Sequence, residues 1–263
     1  MMKKFHLVLF GAVLPLLSVA QNSRFTCPAA AAFVRECHWF CSCSSQCSLA
    51  GAGNAFCCVL LPFGGDKSSA FSLEREHWGD LRALRSAASY AQSFAERFSF
   101  ALLGEYNSIS FSDPYYGKLQ GFSLSFSSFF QPDSRYSLGM QWENPFGFSY
   151  HAGNEGREKM PSSLCVVGVY SGLESFCIAV GIDKVWQQPF CCRLLLEHSP
   201  ASWLWCGFGC GFPGLQFDAG VGVAWKQLNY GLVCVFRQGW GASLQVSVSR
   251  TLPDKWKGVF RYA

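Results

Sequence analysis

Charge is scarce in this 263-residue chain. Asp, Glu, Lys and Arg make up 14% of it and the formal net charge is +4, too slight a surplus to draw the protein to nucleic acid. Long apolar runs are missing too. Hydrophobic residues make up 50% of the chain, yet past Gln21 no stretch approaches the ~20 apolar residues of a membrane-crossing helix. A helical membrane protein is thereby excluded. The marks of common catalytic sites are also lacking: there is no Gly-x-Ser-x-Gly, no phosphate-binding loop and no His-Glu-x-x-His. Beyond residue 21 the histidines are His38, His77, His151 and His198, and none pairs with another at metal or triad spacing. Gly207-Phe208-Gly209-Cys210-Gly211 looks like a nucleotide loop only superficially. It lies among aromatic residues and runs into Pro213-Gly214, as a strand entering a turn does. Neither an enzyme nor a cofactor is expected.

What is present begins with a leader. Lys3 and Lys4 precede an apolar core from Leu7 to Leu17, and Ser18-Val19-Ala20 supplies small residues for cleavage ahead of Gln21. The apolar core is too short for a permanent anchor. No cysteine stands at the cleavage point, which argues against lipoprotein processing. Residues 1–20 are therefore expected to be a signal peptide.

The remaining chain alternates. From Trp240 to Arg250, Trp240, Ala242, Leu244, Val246 and Val248 fall on one face of a strand and Ser243, Gln245, Ser247 and Ser249 on the other. In Ser134 to Glu143, Tyr136, Leu138, Met140 and Trp142 oppose Arg135, Ser137, Gly139, Gln141 and Glu143. Gln120 to Phe126, Glu174 to Lys184 and Leu215 to Lys226 repeat the pattern. A soluble barrel would set many Lys and Glu on its polar faces. Here those faces are mostly Ser, Gly, Gln and single charges, which fits a polar lumen inside a lipid-facing exterior. Aromatic residues at 16%, with 25 Phe and 9 Trp, suit such an exterior.

These features predict an all-β fold: an antiparallel transmembrane β-barrel of about 12 strands (10–14), with an N-terminal Gly/Ala/Cys-rich periplasmic or plug segment. The expected division is signal peptide 1–20, plug 21–67, outer-membrane barrel 68–250 and tail 251–263. Turns are expected at Gln131-Pro132-Asp133, Ser171-Gly172, Ser199-Pro200, Phe212-Pro213-Gly214 and Gln227-Leu228-Asn229, and longer connections at 107–117 and 148–162. If the last strand descends to the periplasm, both longer connections fall outside the cell. Ser68 to Trp78 and Leu81 to Tyr90 read as strands or as one helix broken at Gly79.

Charges on the polar faces, namely Arg135, Glu143, Asp183, Arg193, Glu197, Asp218 and Lys226, are the lumen candidates. They suit either a substrate path or a lumen closed by salt bridges. There are 14 cysteines, and export permits disulfides. Cys37, Cys41, Cys43 and Cys47 form a candidate disulfide cluster whose spacing matches no common zinc pattern. They suit equally well as unpaired small apolar side chains. Cys192, Cys206, Cys210 and Cys234 share faces with Leu and Phe and read as small hydrophobes.

The stretch Ser48-Leu49-Ala50-Gly51-Ala52-Gly53-Asn54-Ala55-Phe56 resembles the Gly/Ala-rich segment before the first strand in the FadL-like and PorV/PorQ group of outer-membrane proteins of Bacteroidetes. The run Arg193 to His198, then Trp203–Gly211, Gln216–Lys226, Gly231–Arg237 and Ala242–Arg250, is similar to the end of that group. Two features depart from it: the group's Asn-Pro-Ala stretch is replaced here by Pro62-Phe63-Gly64-Gly65, and the chain continues past its last strand to Ala263. The resemblance implies transport or binding of small hydrophobic molecules. Alternatively it implies a non-enzymatic place in an outer-membrane assembly such as a secretion system. Expected partners are the outer-membrane bilayer and a small hydrophobic ligand or a membrane-protein partner.

Overall fold

A strand that is oily on one face and wet on the other cannot leave an open edge in a bilayer, because lipid offers its N–H and C=O groups no partner. In a computed structural model the chain meets this constraint by closing on itself. The structure describes residues 27–252, apart from 35, 47–51, 95–96, 113–116, 134, 153–156, 174 and 239–240. The expected leader, most of the expected tail and Cys47 lie outside the described residues.

A short 3-10 turn, Pro28–Phe33, precedes β1 (Cys37–Gln46), β2 (Gly53–Phe63), β3 (Lys67–Trp78), β4 (Leu81–Phe94), β5 (Phe98–Phe111), β6 (Lys118–Phe130) and β7 (Tyr136–Glu143). A small hairpin, β8 (Ser149–Ala152) and β9 (Arg157–Lys159), hangs on β6 at Leu119 and Gln120. The wall resumes with β10 (Ser163–Leu173), β11 (Phe176–Val185), β12 (Phe190–Ala201) and β13 (Leu204–Phe212). It ends with β14 (Gln216–Trp225), β15 (Leu228–Arg237) and β16 (Gly241–Leu252). Neighbours pair antiparallel, β7 joins β10, and β16 returns to β1 from Cys37↔Leu252 to Gln46↔Ser243. The result is a closed barrel of 14 strands.

That count corrects the expected 12. The two added strands, β1 and β2, come from the stretch expected to be a plug. Their alternation is blurred in the sequence because the inner face of each mixes polar and apolar residues. Phe40 lines the same inner face as Ser42 and Ser44, and Phe56 and Cys58 follow Asn54 inward, while Cys41, Cys43 and Ser45 point out. Segments 67–78 and 81–94 are strands rather than a broken helix, and Gly79 makes their turn with φ +57°. The expected turns at Ser171-Gly172 and Ser199-Pro200 fall inside β10 and β12, where the register slips just before each strand ends.

With an even number of strands, both ends of the barrel wall lie at one mouth. Short turns lie at that mouth, among them Gly64–Asp66, Trp203 and Lys226-Gln227. The strand ends that flank the longer connections 47–52, 112–117 and 144–162 lie at the other. The faces separate sharply. Ser125, Gln141 and Asp218 are 3%, 6% and 5% exposed, whereas Phe126, Met140 and Phe217 are 43%, 44% and 40% exposed. The interior is polar and the surface apolar, the reverse of a soluble domain and the pattern of a barrel set in lipid. Most exposed Trp and Tyr gather toward the rims: Tyr136, Trp203, Trp225 and Tyr230 toward the short-turn mouth, Trp142 and Trp186 toward the other. These are the levels at which amphipathic rings meet headgroups.

Leu102 faces outward near the middle of β5, opposite Phe126. A charge there must enter hydrocarbon. Leu102→Arg is expected to cost about 2–4 kcal/mol of folding free energy in liposomes, read by denaturant titration. A cost near zero would place that face in water.

Candidate functional site: the barrel lumen

The inner wall divides by height. Near the long-loop mouth it carries most of its charge, because the inward parity of several strands places ionisable residues close to that end. On β2 to β5, Arg85 lies 3.7 Å from Glu74 and 3.5 Å from Glu105. Its Nε also donates to Asn107 Oδ1 at 3.1 Å. Asn54 donates to Glu74 and Asn107 to Glu105, each at 2.6 Å. Farther round, Glu143 accepts from Ser163 Oγ at 2.6 Å and from Gln141 Nε2 at 3.3 Å. On the far wall Gln216 Oε1 accepts from Arg193 at 3.5 Å and Arg237 at 3.2 Å, while its Nε2 donates to Asp218 at 2.8 Å. Asp183, on β11, stands between the last two groups. Carboxylates outnumber guanidinium groups in this collar of described residues.

Of the charges singled out from sequence, Glu143, Asp183, Arg193 and Asp218 belong to this collar. Glu197 lines the wall nearer the short-turn mouth and is buried. Arg135 and Lys226 are exposed in end turns and do not line the lumen. The alternation assigns their parity, but the strands begin after Arg135 and stop before Lys226. Lys226 lays its ammonium over the Trp225 ring, 4.9 Å from the centroid. Glu74, Arg85 and Glu105 were not singled out. Period-two spacing of Glu74, Glu76 and their apolar neighbours Leu73 and Phe71 was the available signal.

Below the collar one side of the inner wall becomes apolar, while the facing strands keep Ser and Gln inward. Val233, Val235, Leu195 and Ala179 form a buried cluster with Val169 and Trp205 against it. The Trp205 indole lies across glycines of the neighbouring strands. A Cβ on Gly222 would overlap the ring, and one on Gly220 would approach it to 3.4 Å. Bare backbone there lets the ring lie close to the sheet.

At the short-turn mouth the segment Cys27–Val34 enters the lumen. Ala29 and Ala32 pack on Ala91, Ala101 and Phe129, and Phe33 meets Phe129 at 5.6 Å between ring centroids. Both backbone groups of Ala29 are held by the wall: its N–H donates to Ser127 Oγ at 3.0 Å, and its carbonyl accepts from Ser99 Oγ at 2.7 Å. Cys27 fills the space left by Gly139, where a Cβ would come 3.2 Å from the Cys27 Cβ. Burial pushes the Cys27 thiol up from its ordinary value, so it stays neutral.

Cys41 and Cys43 lie on the outward face of β1, where Cys41 meets Cys57 of β2, and Cys37 is buried at the start of the strand. Cys192, Cys206 and Cys234 are exposed on the outward face. The described residues contain no group of three His, Cys, Asp or Glu side chains placed to hold a metal.

No protein-family model matches the sequence, and a search of the curated proteins finds no match. Solved structures do match. The Pseudomonas putida toluene transporter TodX superposes with a TM-score of 0.65 at 10% identity, over 86% of this chain and 93% of its own. A Pseudomonas aeruginosa FadL homologue gives 0.61 at 9% identity over 88% and 94%. The Ralstonia pickettii toluene transporter TbuX gives 0.62 at 9% identity over 90% and 94%. The fold is FadL-like. At this identity the likeness rests on the path of the backbone, and the FadL-like fold alone assigns no ligand to the lumen.

The seat of the inner segment is testable. Gly139→Leu removes the space that Cys27 occupies, and the loss of even ~1.4 kcal/mol raises the open population about tenfold. Alkylation of Cys27 in the folded protein, followed by peptide mass spectrometry, is expected to quicken by at least that factor. An unchanged rate would show that the segment is not lodged against β7.

Proposed function

We propose that the protein sits in the outer membrane and binds and passes small hydrophobic molecules. The observation that carries this reading is the arrangement of the lumen: a charged collar near one mouth, an apolar patch of Val233, Leu195, Val169 and Trp205 on one side of the wall, and Cys27–Val34 seated near the other mouth. An apolar patch on the inner wall favours solutes that gain by leaving water. The toluene transporters that share the fold support the same reading. In it, residues 1–20 direct export. Glu143, Asp183, Arg193 and Asp218 orient the entering solute, and buried Glu197 offers one polar contact beside the apolar wall. No step requires a cofactor or a catalytic group.

The test is flux. Proteoliposomes holding the folded protein are expected to take up a monoaromatic hydrocarbon or a fatty acid faster than empty vesicles, while remaining nearly closed to sugars. Trp205→Ala is expected to slow uptake of the hydrocarbon by removing the largest side chain of the apolar patch. Equal uptake with and without protein, with no lipophilic ligand extracted from the purified barrel, would overturn the proposal. If other membrane proteins then co-purified, the result would favour membership of a secretion assembly instead.

A further inference from the structure

We propose that Cys41 and Cys57 form a cross-strand disulfide on the outer face of the barrel, fastening β1 to β2. The two residues are direct antiparallel partners in the register, and their Sγ atoms stand 2.8 Å apart. That separation is shorter than two unbonded sulfurs prefer. Directly paired residues on one sheet face also have Cα and Cβ spacings within the range a disulfide spans. No other pair of described cysteines shares this placement. Cys43 opposes Ala55 and Val246, Cys58 opposes Phe40 and Ser72, and Cys165 opposes Gln141 and Asp183. Cys206, Cys210 and Cys234 all face residues other than cysteine.

Position gives the bond its purpose. Across the outer face, one row runs Val248, Cys41, Cys57, Leu73 over β16, β1, β2 and β3. The link therefore lies one strand from the β1–β16 seam where the barrel closes. Fixing β2 to β1 holds the first hairpin in register and presents the edge that β16 must find. Both sulfurs face lipid once the barrel is inserted, and hydrocarbon disfavours the thiolate that exchange requires. The bond is accordingly made before insertion. One thiolate attacks a sulfur of an oxidising protein disulfide, and the second thiolate then displaces it. The two cysteines lose two protons and two electrons, and the oxidant leaves as a dithiol.

The proposal rests on the reading of the chain as exported. Membranes bearing the full-length protein are quenched with N-ethylmaleimide, and the protein is digested without reductant. The expected product is a peptide containing Cys41 joined to one containing Cys57. The unfolding temperature on a heat-modifiability gel is expected to fall on reduction, and the Cys41→Ser/Cys57→Ser double variant to match the reduced protein. Alkylation of both residues, or linkage of Cys41 to any other cysteine, would overturn the proposal. Refolding reduced protein in detergent with diamide separates two causes of that failure. A Cys41–Cys57 link formed only then would mean the exported location is wrong; no link even then would mean the pairing is wrong.

Discussion

Everything in this molecule follows from the absence of hydrogen-bonding solvent around a strand in lipid. Each N–H and C=O must find a partner within the sheet, so the sheet must have no edge. Pairing of β1 with β16 supplies the last row of bonds. Closure in turn divides the side chains into two populations with opposite needs. Phe100, Phe122 and Phe208 are exposed without penalty only because hydrocarbon receives them, and Ser99, Ser127 and Gln245 are buried without penalty only because the lumen is polar.

The same division explains why the lumen can be both structural and functional. Fourteen strands enclose more width than one layer of side chains fills, and the chain fills it differently at different heights. Ion pairs and amide bridges around Arg85 and Gln216 hold the upper wall. An indole laid over bare glycine backbone extends the apolar patch on one side of the wall. At the lower mouth the chain's own segment is bound through Ser99 and Ser127, with Gly139 leaving the space. The last two devices depend on a small residue across from a large one, so the passage is shaped by where side chains are missing as much as by where they stand.

Much of this was legible in the sequence, and the limits have physical causes. Strands such as β7 and β14 announce themselves because Met140 and Phe217 alternate with Gln141 and Asp218. β1 and β2 do not. Phe40, Phe56 and Leu60 point inward while Cys41, Cys43 and Ser45 point outward, and a period-two signal needs contrasting faces. The stretch Ser48–Phe56, similar to a segment that precedes a first strand, instead leads into the second. Single charges were legible as inward by parity, but parity is silent on where a strand ends, which moved Arg135 and Lys226 into turns. Contacts among distant strands, such as Arg85 with Glu74 and Glu105, or Cys41 with Cys57, depend on register and closure. No local pattern encodes those.

The central claim is that one face of every wall strand meets lipid and the other meets a wet lumen. Single cysteines carrying spin labels, placed at 125, 126, 140, 141, 217 and 218 in a barrel freed of its native cysteines and reconstituted in bilayers, test it most directly. Collisions with oxygen, which concentrates in hydrocarbon, should dominate at 126, 140 and 217. Collisions with a water-soluble nickel chelate should dominate, where access allows, at 125, 141 and 218. The reverse pattern, or equal exposure to both reagents along each strand, would contradict the account.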